Sequence, residues 1–183
     1  MSNLNQFSLV LDLALSLKAN GSWAGETHIQ KASYFLTSLM QVPMDVEFIL
    51  YKHGPFSFEL REVLTDMEAK GFLRWRSIPP YGPSIDEGEL GGTLRAKFPT
   101  LNNQYRNQID FVARQLGSRN VANLERVATA LYVTKEGYIG PARVGRIVQL
   151  KPHVNVLLAE TAVEDFDRIA KLASDSELIA SEV

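Results

Sequence analysis

The chain has 183 residues, 45% of them hydrophobic and 22% charged, a balance that excludes the polar, highly charged composition of disordered segments and suffices to bury a core. It contains no cysteine, which excludes a disulfide framework, thiolate metal ligation and a cysteine nucleophile. The formal net charge of −2 conceals blocks: residues 1–105 carry 9 Lys+Arg against 11 Asp+Glu, residues 106–151 carry 8 against 3, and residues 152–183 carry 2 against 7. Their balances of −2, +5 and −5 have two readings: solvated faces that meet each other, or a basic stripe that binds a partner.

The spacing of Leu4, Phe7, Leu11 and Leu15, with Val10, Leu13 and Leu17 beside them, predicts a first helix over 4–18 that is apolar on two sides and therefore central. Its apolar run, Leu9 to Leu17, is too short to span a bilayer and carries Asp12, and no basic secretory leader precedes it. A cytoplasmic protein with no membrane partner is expected. Asn20-Gly21 stops this helix, and Thr27 and Gln30 stand at capping-box spacing ahead of a second helix over 28–40. Val46, Phe48 and Leu50 alternate with Glu47 and Ile49, predicting a short strand over 45–51 closed by Gly54-Pro55.

Ser57 is a natural N-cap and Gly71 a natural stop for a third helix carrying Leu60, Val63, Leu64 and Met67. Residues 72–76 and 93–98 read as the strands of a β-hairpin, with 79–92 as its tip. Three helices followed by a hairpin is the order of elements in a winged helix. The rest reads as helices over 103–116, 120–134, 141–150 and 162–173. The expected fold class is thus mainly α with a small β-hairpin: a winged-helix-like region over 1–100 and a helical region over 101–183 packed on it as one globular domain.

The segment Ile29-Gln30-Lys31-Ala32-Ser33-Tyr34-Phe35-Leu36, followed by Phe48-Ile49-Leu50-Tyr51-Lys52-His53-Gly54-Pro55-Phe56-Ser57 and later by Leu150-Lys151-Pro152-His153, resembles the YwgA-like family of small prokaryotic proteins. A weaker similarity is to the Panacea, or SocA-like, antitoxin domain. Two departures are Ala32, where the family has leucine, and His53, where tyrosine is commoner. The resemblance implies a winged-helix-like fold and a setting in toxin neutralisation or phage defence, with no agreed activity to carry over.

No catalytic or metal constellation is apparent. His28, His53 and His153 stand in unrelated settings, with His28 read as a surface residue, and neither a P-loop nor a nucleophile elbow is present. The acidic loop Asp86-Glu87-Gly88-Glu89 lacks calcium-loop spacing. No cofactor or metal is expected, and catalysis ranks third among the functions. The Tyr51–Pro55 turn either sets the entry of the third helix, with Tyr51 packed on the core, or presents Lys52 and His53 to a phosphate or a partner carboxylate. Glu59, Glu62 and Asp66 make the outer face of the third helix acidic, which disfavours that helix as a reader of DNA.

Two function classes follow. One is a non-catalytic protein-interaction module, an antitoxin-like or defence accessory protein that binds a toxin or a defence component through Lys52, His53, Glu59, Glu62 and Asp66; a homodimer is a further expectation, with no surface assigned to it. The alternative is a DNA-binding regulator that grips the backbone with Arg74, Arg76, Arg95 and Lys97, which would share one face of the paired strands, and with Arg143 and Arg146 of the basic block.

Overall fold

A computed structural model describes residues 3–77, 79 and 82–179. Among them are eight helices and two small antiparallel hairpins: α1 (Asn3–Ala19), α2 (Glu26–Ser38), β1 (Ile49–Tyr51), β2 (Gly54–Phe56), α3 (Phe58–Ala69), β3 (Leu73–Arg76), β4 (Ser84–Glu87), α4 (Gly91–Lys97), α5 (Pro99–Leu116), α6 (Val121–Lys135), α7 (Ala142–Leu150) and α8 (Val156–Asp175). The fold is mainly α with small β-hairpins, as the periodicity predicts. Nowhere among the described residues is a helix long and apolar enough to cross a membrane.

The two-sided apolar pattern of α1 places it at the centre, where it packs against α2, α4, α5 and β4. Its polar positions are bonded inside: Gln6 Nε2 donates to the Met44 carbonyl at 2.7 Å, and Ser8 Oγ to Asn102 Oδ1 at 2.9 Å. A second focus forms where α6 meets α2, α7, α8 and β2. Buried side chains from Phe7 to Ala173 form one continuous cluster, joining the 1–100 and 101–183 regions.

Local signals place α3 closely. Ser57 Oγ accepts from the Leu60 amide at 3.1 Å. At the other end Gly71, at φ +72°, lets its own amide donate to Glu68 O and that of Phe72 to Met67 O, a Schellman closure that satisfies the last carbonyls of the helix. The capping box expected at Thr27 and Gln30 is absent. Helix α2 starts at Glu26 behind Gly25, without a side-chain cap, and Gln30 instead exchanges two hydrogen bonds of 2.9 Å with the backbone of Ser57.

Three further expectations are corrected. The strand over 45–51 shrinks to Ile49–Tyr51 and turns back across Lys52-His53 onto Gly54–Phe56, so Gly54-Pro55 belongs to a hairpin rather than ending a strand. Residues 93–98 are not a strand: Thr93 to Lys97 lie in α4. The partner of β3 is Ser84–Glu87, inside the expected 79–92 tip, with Arg74 opposite Asp86 and Trp75 opposite Ile85; residues 80 and 81 of that tip lie outside the described residues. Ile85 explains the difference, since it is buried and its amide donates to Ala24 O at 3.0 Å, which ties the strand to the turn after α1. The winged-helix reading of 1–100 is therefore not confirmed. Finally, α8 starts at Val156 rather than 162, capped by Asn155 Oδ1 on the Leu158 amide at 2.9 Å.

Candidate functional site: a hairpin held by two buried lysines

The three segments that carry the family resemblance meet at one place. Helix α2 sends Lys31, only 2% exposed, to the hairpin, where its Nζ donates to the Pro55 carbonyl at 2.8 Å. From the end of α7, buried Lys151 donates to the carbonyls of Tyr51 (3.3 Å) and Lys52. On the third side stands α6: a Cβ on Gly54, whose φ is +86°, would come within 3.2 Å of Glu125 O and of Thr129 Oγ1, so only glycine allows this approach without strain. His53 Nδ1 lies 3.1 Å from Glu125 Oε1.

Burial holds the Lys31 ammonium down at about 8, against an attraction from Glu125, and burial likewise lowers Lys151. Taking two ammonium groups out of water is unfavourable unless each finds acceptors. The hairpin carbonyls provide them. The outcome is a turn whose backbone is fixed by interior cations from two different helices.

On the outer side of this turn the hairpin leaves large apolar side chains in solvent: Ile49 is 51% exposed, Tyr51 47%, and Phe58 at the start of α3 45%. The Tyr51, Phe56 and Phe58 rings contact one another at centroid separations of 5.1–5.9 Å. Arg61 stacks on Phe56 at 4.7 Å and pairs with Glu26 at 2.7 Å. The expectation that Tyr51 packs on the core is thus corrected.

Lys52 and His53 are exposed at the tip of the hairpin. Glu59, Glu62 and Asp66 line one open groove of about 650 Å³ between α3 and α1, together with Asp45. Hydrogen bonds from the backbone and the Ser57 hydroxyl lower the Glu59 carboxyl.

The cations expected to form a nucleic-acid face do not share one. Arg76 pairs with Asp86 at 2.8 Å, a carboxylate also held by Lys18 and opposite Arg74. Arg95 lies on α4, bound to Asp12 at 2.6 Å, and Lys97 is exposed near the end of that helix. Arg143 is paired with Asp167 at 2.7 Å and Arg146 with Glu136 at 3.1 Å. Arg119 reaches Asp165 at 2.8 Å and holds its carboxyl down at about 2. Two cations of the basic block, Arg119 and Arg143, thus pair with carboxylates of the acidic block on α8.

His28 is buried rather than on the surface. Its Nε2 donates to the Arg119 carbonyl at 3.0 Å, and burial lowers its pKa. Glu125 and the exposed aromatic face were not singled out by sequence reasoning; Lys31 and Lys151 entered it only through the resemblance and the basic block. The available signal was a lysine inside the buried run of α2 with no acidic residue nearby on that helix face. Searched against known proteins, the chain matches no family model and no curated protein.

Proposed function

We propose that the chain is a non-catalytic protein-binding module that presents the β1–β2 hairpin and the start of α3 to a partner protein. The observation that carries this reading is the half-exposed Ile49 and Tyr51 on a hairpin held by Lys31 and Lys151, with half-exposed Phe58 beside them at the start of α3. Exposed apolar clusters of this kind mark interfaces, tyrosine is a favoured anchor, and a preformed backbone lowers the entropy lost on binding. The resemblance to antitoxin-like and defence proteins supports a toxin or a defence component as the partner. Against the DNA-regulator reading weigh the ion pairs that engage Arg76, Arg95, Arg143 and Arg146 within the chain.

The test is co-purification from a native host with the wild type and the Tyr51→Ala/Phe58→Ala variant, beside a gel-shift titration on DNA. A defined protein retained by the wild type and lost by the variant is expected. Retention by both, or a DNA shift abolished by removing Arg74 and Lys97, overturns the reading.

A further inference from the structure

We infer that the groove between α1 and α3 seats a cationic amphipathic segment of the partner, a reading that rests on the protein-binding function proposed above. One wall is the start of α1 and the other is the outer face of α3, with half-buried Val63 as apolar lining above the buried Phe7 and with Asp45, Glu59, Glu62 and Asp66 as its carboxylates. Gln6 fixes the loop at one end, since its side-chain amide binds the carbonyls of both Met44 and Asp45. The 12 residues of α3 give the wall a length of about 18 Å, three turns of a docked helix.

Charge selects the occupant. Among the described residues two cations stand at the groove: Arg61, whose guanidinium is engaged by Glu26 and Phe56, and Lys70, which lies over the Phe7 ring. Lys70 neutralises Asp66, while no lysine or arginine among the described residues pairs with Glu59 or Glu62. Phe58 stands beside Glu59 in sequence and is exposed, so the acidic rim continues into the aromatic face. An apolar stripe flanked by lysine or arginine complements both features, whereas an acidic segment or a nucleic acid meets like charge.

Two short helical peptides with the same leucine spacing, one with lysine and one with glutamate at its polar positions, test this on the full isotope-labelled chain by amide chemical shifts. The Leu/Lys peptide is expected to move Phe7, Asp45 and the α3 amides, and to bind about tenfold more weakly to the Glu59→Gln/Glu62→Gln variant, whose exposed positions leave folding intact. Equal binding of the Leu/Glu peptide, affinity unchanged in the variant, or shifts confined to another surface overturns the inference. If the partner is lost from Tyr51→Ala/Phe58→Ala while the Leu/Lys peptide fails, the hairpin reading stands and this one falls. If the peptide binds as expected but no protein depends on Tyr51 and Phe58, the hairpin reading falls instead.

Discussion

Replacing Lys31 with methionine isolates the device that fixes the hairpin. The folded chain holds this amine at about 8 against its ordinary 10.5, so between those pH values the unfolded chain carries more protons. Stability therefore rises with pH there: the cost of burying the charge is fully present below 8 and is relieved towards 10.5. From pH 7 to ~9.5 the gain is about 2 kcal/mol. At neutral pH the substitution removes a charge-burial cost of about 3 kcal/mol, but it leaves the Pro55 carbonyl without its donor, a loss of about 1–3 kcal/mol. Lys31→Met should therefore lie within about 2 kcal/mol of the wild type at pH 7 and lack most of the alkaline gain. Lys151, also lowered by burial, remains in both proteins, and Tyr34, raised by burial, opposes the gain only as pH nears its unfolded value of 10, above the pH ~9.5 measurement. Urea unfolding of both proteins at the two pH values gives the double difference. A wild type with no alkaline gain, or a variant that keeps all of it, refutes the argument.

Leu36 and Leu64 are almost fully buried, and truncating either to alanine should cost about 2–5 kcal/mol by denaturant unfolding; a loss below about 1 kcal/mol would mean that the helix faces are wrongly placed. Asp165, held at about 2 by the Arg119 hydrogen bond, contributes stability that is present above its unfolded value near 4 and lost as pH falls towards 2. Asp165→Asn should remove about 2 kcal/mol at pH 7 and flatten the acid limb of the stability profile, which thermal unfolding between these pH values checks.

How much was legible in the sequence differs by element. Ser57 and Gly71 mark α3 because a cap and a left-handed glycine act locally. Thr93 to Phe98 misleads because Leu94 and Phe98 fit period two as well as the four-residue spacing of a helix, and so short a run cannot discriminate. Burial of Leu94 and the Arg95–Asp12 pair accompany the helical choice, and both come from α1, far away in sequence. Ser84 to Glu87 hides for the complementary reason: its acids read as loop, and Lys18, Arg76 and the facing Arg74 make Asp86 acceptable in a strand. The meeting of the basic and acidic blocks was one of two open readings of the charge pattern. At the candidate site Lys52 and His53 were singled out, while the Lys31 contact with the hairpin was hidden because its acceptor lies 24 residues along the chain.

Everything proposed for this protein turns on whether the β1–β2 hairpin face or the exposed cation Lys97 on α4 meets the partner. Photo-crosslinking inside a native host compares the two surfaces, with a benzophenone amino acid placed at Phe58 in one variant and at Lys97 in another. The account predicts a discrete protein adduct from position 58 and none from position 97. Nucleic acid captured at position 97, with position 58 silent, would contradict it.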